Sequence, residues 1–219
     1  MMVPLRWLLV QLGLAAVVLG SAGRLDVPMV WVLLGVYNAI TLVAVHGMAP
    51  ELRSERFRFC PGAAGEDPWL RLVALPFVIG HLIVAGLDVG RFHWSASMPL
   101  AVRVAGVLGG AAGVGMAYWA AAVNPFFSPV VRIQHERGHY LITGGPYGLV
   151  RHPGYLGILV AAPSGGLALG SWLSLLPLVG FLVLLFRRTA VEDRFLRKAL
   201  PGYAEYARRV RDRLLPGLW

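Results

Sequence analysis

Six apolar runs dominate this sequence: residues 7–23, 27–49, 70–89, 99–123, 154–170 and 172–186. A hydrocarbon core of roughly 30 Å takes about 20 apolar residues of helix to cross. In lipid every backbone N–H and C=O must find its partner within the segment or the protein, which leaves helices for runs of this length. Of the 219 residues 57% are hydrophobic and only 14% charged. A soluble domain averages roughly 45–50% apolar and about 25% charged residues. Disordered, collagen-like and disulfide-framework classes are excluded by the same figures. Cys60 is the sole cysteine, so neither an intrachain disulfide nor a cysteine metal cluster is possible. The fold class read from this pattern is all-α: a polytopic integral membrane protein with about six transmembrane helices. The last two runs are short, meet at Gly170-Ser171 and contain Pro163 and Pro177. They are expected to form a tight helical hairpin, with one long broken helix as the lesser option. A cytoplasmic C-terminal helix follows.

The net charge of +9 suggests nucleic acid until its distribution is read. With both termini cytoplasmic, every basic residue except Arg24, Arg91 and Arg103 lies on the inner side. The positive-inside rule selects this orientation. The basic tail reads as a cytoplasmic segment against anionic lipid, and no folded basic module for nucleic acid is evident. Lys198 is the only lysine, and the arginine, glycine and alanine bias points to a G+C-rich bacterial genome. The expected location is therefore the bacterial inner membrane, as a multi-pass protein. Polarity marks three cytoplasmic pieces, at residues 50–69, 124–151 and 187–219, and the last two carry most of the groups able to do chemistry.

The first of these ends in Gly144-Gly145-Pro146-Tyr147-Gly148-Leu149-Val150-Arg151-His152-Pro153-Gly154-Tyr155-Leu156-Gly157. A glycine-proline turn leads into His152-Pro153 at the mouth of an apolar run, and proline at the first helical position sacrifices no hydrogen bond. The first free N–H groups, at Gly154 and Tyr155, are expected to face the interface as an anion site. The plainer reading is an interfacial helix start with a capping histidine and an aromatic anchor. In the second piece Arg188 and Glu192 are four apart and share a helix face. They form either a weak surface ion pair or a fixed cation and anion for a ligand, the arginine clamping a carboxylate or phosphate. Tyr203 and Tyr206, taken alone, read as interfacial anchors.

The run from Gln134 through Gly157, with Arg188, Glu192 and Pro201-Gly202-Tyr203-Ala204-Glu205-Tyr206, resembles the isoprenylcysteine carboxyl methyltransferase family, whose wider relatives are membrane phospholipid methyltransferases. The resemblance covers about residues 99–219. It implies N-terminal transmembrane helices at 1–98 and a methyltransferase core at 99–219. The implied reaction is methyl transfer from S-adenosylmethionine to a lipophilic acceptor. Cofactor-binding positions carry over to Gln134, His139, Tyr140, Leu141, Ile142, Tyr147, His152, Pro153, Gly154, Tyr155 and Glu192. Arg188 carries over as the substrate-orienting residue. The spacing from Gln134 to the His-Pro block is slightly short, and the acidic cluster expected before Glu192 is Ala190-Val191. The role of Asp193 stays open. A carboxylate acceptor needs no general base; an amine acceptor would need one, and His139 or Glu192 are candidates. The partner is a membrane lipid or other amphiphile, either a prenylated carboxylate or a phospholipid amine. No metal is implied, and the oligomeric state is open.

One literal motif points elsewhere. His135-Glu136-Arg137-Gly138-His139 reads as the H-E-x-x-H of zinc proteases. It needs a stable helix to bring both histidines to one face, and Gly138 and the turn that follows argue against one. A noncatalytic membrane protein of the same fold is the remaining alternative. His81 is expected to pack neutral between helices, and Asp88, Arg91 and Arg103 to pair at the outer surface. Gly106, Gly109, Gly110, Gly113 and Gly115 are expected to permit close helix packing within one subunit.

Overall fold

The computed structural model describes residues 2–47, 67–128 and 130–219. Most of the 50–69 piece, with Arg53, Arg56, Arg58 and Cys60, lies outside the described residues. The helices are α1 (Met2–Ala22), α2 (Pro28–His46), α3 (Asp67–Leu87), α4 (Leu100–Val123), α5 (Pro153–Leu169), α6 (Leu175–Ala199) and α7 (Tyr203–Arg209), and no strand occurs among the described residues. By length and composition Pro28–His46, Leu72–Phe92 and Leu100–Val123 are long and apolar enough to cross a membrane, while Leu8–Ala22 and Pro153–Leu169 are shorter apolar helices. The outer faces carry exposed Leu9, Val43, Leu72, Leu100, Leu108, Leu176 and Val183. A surface so apolar is suited to lipid rather than water.

Glycine decides which helices touch. α4 and α5 form the most extensive contact in the molecule. A Cβ on Gly113 would lie 2.5 Å from the Gly157 carbonyl oxygen and 2.6 Å from the Ala161 nitrogen, and one on Gly106 would lie 2.5 Å from the Ala168 nitrogen. Small residues let the backbones meet, so the stripe packs within the subunit as expected, apart from Gly115, which faces open space. α1 and α6 each pack on α3, and α2 packs on α4. α5 and α6 are separate helices, because Gly170 takes the left-handed conformation (φ +94°) and returns its N–H to Gly166 and Leu167. They touch one another far less than α5 touches α4 or α6 touches α3.

In the turn after α3, Asp88 is buried. It accepts from the Ser95 N–H (2.9 Å), the Ser95 hydroxyl (2.5 Å) and the Ser171 hydroxyl (2.6 Å). The expected pairing with arginine is replaced by these donors because a short π-helical turn, Asp88–Phe92, directs the carboxylate inward. His81 is buried and its Nδ1 donates to the Ser174 carbonyl at 2.7 Å, tying α3 to the turn before α6. α6 runs on past the apolar segment to Ala199, and its polar half turns toward the opposite end of the bundle.

Candidate active site

That opposite end holds a cavity of about 560 Å³, within the roughly 300–1,000 Å³ usual for small-molecule sites. Its polar part is built at the start of α5. Pro153 occupies the first helical position and His152 is the cap. The Arg151 and His152 N–H groups donate to the Asp212 and Arg213 carbonyls at 3.0 and 2.9 Å, so residues 210–213 lie as a strap along this segment. The Arg151 guanidinium gives Nε and a terminal nitrogen to Asp193 (2.6 and 3.2 Å) and its other terminal nitrogen to the Val210 and Arg211 carbonyls (2.7 and 2.6 Å).

Asp193 has 0% exposure. It also accepts from Arg197 (3.0 Å), Arg213 (3.2 Å) and the Tyr203 hydroxyl (3.0 Å), and His152 Nε2 stands 3.5 Å away. Burial pushes its carboxyl upward, but hydrogen bonds from His152 and Arg151 and the Arg151 charge more than offset this, so it stays well below the usual carboxylate range. Burial and the adjacent Asp193 charge raise the Tyr203 phenol far above its ordinary value, which keeps it a donor. The Tyr206 hydroxyl donates to the Tyr147 carbonyl at 2.7 Å. Tyr203 and Tyr206 are therefore interior locks, at 3% and 1% exposure, and not interfacial anchors. The left-handed Gly202 (φ +80°) turns α7 back so that both rings point inward.

Glu192 precedes Asp193 and is about 100° away around the helix, on the cavity side. The Tyr155 hydroxyl donates to Glu192 Oε2 at 2.6 Å and accepts from Arg188 Nε at 2.6 Å. Arg188 and Glu192, read from their spacing as either a surface pair or a cation and anion for a ligand, are thus bridged by a residue of α5. Of the two N–H groups expected to be free, at Gly154 and Tyr155, that of Tyr155 is not offered. The Tyr155 N–H bonds the His152 carbonyl at 3.0 Å, and the Phe127 ring covers Gly154 so closely that a Cβ there would lie 2.7 Å from it.

The loop after α4 forms another wall. Asn124 donates to the Tyr147 hydroxyl at 3.1 Å and accepts from the Phe126 N–H at 2.9 Å. The Phe126 ring stacks on His139 with centroids 4.3 Å apart and meets Tyr140 edge-on. Burial, then the nearby His135, Arg132 and Arg137, lower the pKa of His139. Its Nδ1 accepts the Gln134 N–H at 3.2 Å. Gln134 itself is buried outside the cavity wall; its amide donates to the Phe126 carbonyl (2.7 Å) and accepts from Arg137 (2.7 Å). His139, Tyr140, Leu141, Ile142, Tyr147, His152, Pro153, Gly154, Tyr155, Arg188 and Glu192 all line the cavity. Leu75 and Val78 of α3, Ile158 of α5 and Phe181 and Leu184 of α6 supply its apolar side. Sequence reading placed Asn124-Pro125-Phe126-Phe127 under the cofactor or the lipid entrance without a role for any one residue, and left the role of Asp193 open. The signal for Asp193 was an acid directly after Glu192 and four residues before Arg197.

His135–Arg137 is a single 3-10 turn closed by left-handed Gly138 (φ +62°). The helix that the zinc-protease motif needs is absent, and no group of three or more His, Cys, Asp or Glu converges among the described residues.

These features define a helical, lipid-facing protein with a cavity that is polar at one end and apolar at the other. Residues 112–198 match the model of the Isoprenylcysteine carboxyl methyltransferase (ICMT) family. The chain is 41% identical over 93 residues to a protein of Oryza sativa subsp. indica named probable protein-S-isoprenylcysteine O-methyltransferase, covering 40% of this chain and 47% of that one. It is 32% identical over 140 residues to the cobalt-zinc-cadmium resistance protein CzcN of Cupriavidus metallidurans, covering 61% and 58%. Protein-S-isoprenylcysteine O-methyltransferase B of Arabidopsis thaliana is 32% identical over 89 residues, covering 38% and 44%. The chain spans about half the length of the curated relatives it matches.

Proposed function

We propose that this protein is an integral membrane methyltransferase that uses S-adenosylmethionine and a lipophilic acceptor, either an isoprenylcysteine-type carboxylate or a phospholipid amine. The observation that carries the reading is a cavity in which Glu192, Tyr155 and Arg188 share space with an apolar wall from α3, α5 and α6. The residues present fit the cofactor. Glu192 suits an ammonium, Tyr147 and Phe126 offer aromatic faces to a sulfonium, and buried Arg151 is already neutralised by Asp193, so it adds no bare charge. S-adenosylmethionine, when bound, supplies an electrophilic methyl group.

This chain supplies alignment and dryness, which carry much of the rate of an in-line displacement. Arg188 holds an anionic acceptor group near Glu192, while Leu75, Val78, Ile158, Phe181 and Leu184 take the acyl or prenyl chain and exclude water. A carboxylate acceptor is nucleophilic as it stands. For an amine a proton acceptor is needed, and Glu192 on the cavity wall can serve, because the one lone pair of neutral His139 is taken by the Gln134 N–H. In the same reading the six apolar runs all span a bacterial inner membrane with both termini cytoplasmic, residues 1–98 buttress the core, and the core is 99–219.

The test is calorimetry of S-adenosylmethionine binding to detergent-purified protein, followed by labelled-methyl transfer to N-acetyl-S-farnesylcysteine and to phosphatidylethanolamine vesicles. Saturable binding that Glu192→Gln weakens, with label entering one acceptor, is expected. Folded protein that binds no S-adenosylmethionine overturns the reading.

A further inference from the structure

Tyr155 carries over from the family resemblance as a cofactor contact, yet its hydroxyl is already fully committed. Its oxygen accepts from Arg188 Nε at 2.6 Å, and its single proton goes to Glu192 Oε2 at 2.6 Å. The ring is fixed as well. His152 stacks on it with centroids 5.9 Å apart and planes 24° apart, and the Arg188 guanidinium lies 5.7 Å from its centroid. Arg188 and Glu192 stand one turn apart on α6, each on a long side chain with many rotamers. Tyr155 stands on the first turn of α5, whose position is set by the strap at residues 210–213 and by the α4 seam. A group on a second, rigid helix therefore fixes both ends of the charge pair. The hydroxyl also has a defined polarity, because the arginine can only donate and the carboxylate only accept.

We propose that the Tyr155 hydroxyl is the positioning group of this cavity, holding the Glu192 carboxylate and the Arg188 guanidinium in register for ligand, and that it acts on S-adenosylmethionine through Glu192 and not by direct contact. The proposal rests on the methyltransferase reading. Charge-assisted hydrogen bonds of this kind bring a tenfold to hundredfold effect, on the order expected for one bond to an ionised group. Tyr155→Phe removes the hydroxyl and keeps the ring on His152.

The experiment is a double-mutant cycle on S-adenosylmethionine affinity, measured by calorimetry on the full chain in detergent with Tyr155→Phe, Glu192→Gln and the double variant. Thermal unfolding of each sample confirms that it is folded. Tyr155→Phe alone is expected to weaken binding about tenfold, and to change it by less than about twofold when Glu192→Gln is already present. Equal losses in both backgrounds would mean direct contact and would overturn the proposal, as would a Tyr155→Phe variant that binds like wild type. A wild-type protein that is folded and binds nothing removes the methyltransferase reading and this proposal together. Wild-type binding with an additive cycle removes this proposal alone. Where Tyr155→Phe unfolds, Tyr155→Trp and Tyr155→His, which keep an aromatic ring, replace it in the same cycle.

Discussion

Arg151 and Asp193 meet 42 residues apart in sequence, with side chains 2% and 0% exposed and Nε to Oδ1 at 2.6 Å. The pair joins the mouth of α5 to the polar half of α6, and through the Arg151 contacts to the Val210 and Arg211 carbonyls it also fixes the strap. Three further groups, Arg197, Arg213 and Tyr203, converge on the same carboxylate.

Asp193→Asn leaves Arg151 buried without a counter-charge. Removing one member of a buried pair costs about 3–5 kcal/mol. The expected result is a large drop in the unfolding temperature of the detergent-solubilised protein, while Asp26→Asn, whose partner Arg24 is exposed, leaves it unchanged.

The same carboxylate sets an acid response. Its folded pKa lies below the ordinary value. Its contribution is therefore fully present above the unfolded value of roughly 3.9 and is lost as pH falls through the folded one. Thermal unfolding should consequently lose this contribution only at strongly acid pH.

His139 responds in a milder range. Burial and neighbouring cations lower its pKa, so folding favours the neutral ring. Stability from it is present above the unfolded value of roughly 6.5 and is lost as pH falls through the lower folded value. Protonation removes the acceptor that Nδ1 offers to the Gln134 N–H. Amide exchange of residues 130–142, corrected for intrinsic rates, should accelerate between pH 7 and 5 in wild type. In His139→Phe that acceleration should be absent.

The α4–α5 seam supplies a packing test. Gly157→Ala places a Cβ 2.5 Å from the Gly113 carbonyl oxygen, which is backbone and cannot step aside. Overpacking of this kind costs about 1–3 kcal/mol. Gly115→Ala meets nothing within 4 Å and gains up to about 1 kcal/mol of helix propensity. Melting temperatures of the two variants should move in opposite directions.

Gly154→Ala separates fold from site. The new methyl meets only the tip of the Phe127 ring, at 2.7 Å, which can rotate toward the cavity. The expected result is an unfolding free energy within about 0.5 kcal/mol of wild type, together with weaker S-adenosylmethionine binding by calorimetry.

The bundle was legible because each apolar run is its own signal. The boundaries of α4 and α5 agree with the apolar runs within one residue, and the glycine stripe of α4 announces the close contact it makes. The cavity wall was legible from the Arg-His-Pro-Gly-Tyr block and from Arg188 and Glu192. What stayed hidden depends on contacts between distant segments. Tyr203 and Tyr206 look amphipathic in sequence, and only the reversal at Gly202 sends their hydroxyls inward to Asp193 and the Tyr147 carbonyl. Glu192 and Asp193 are chemically alike, and their roles diverge because adjacent helical positions face different neighbours. Gln134 carried a family role that local spacing could not test. Its amide is engaged by Phe126 and Arg137 within the loop.

The strap at residues 210–213 is synthesised after every helix that lines the cavity, since it follows α7 in the chain. Chains emerge from the ribosome N-terminal end first. The bundle can therefore insert while the backbone N–H groups of Arg151 and His152 still await their Asp212 and Arg213 partners. The polar pole is then the last part to set, and a nascent chain halted before residue 210 carries an inserted but unfinished site.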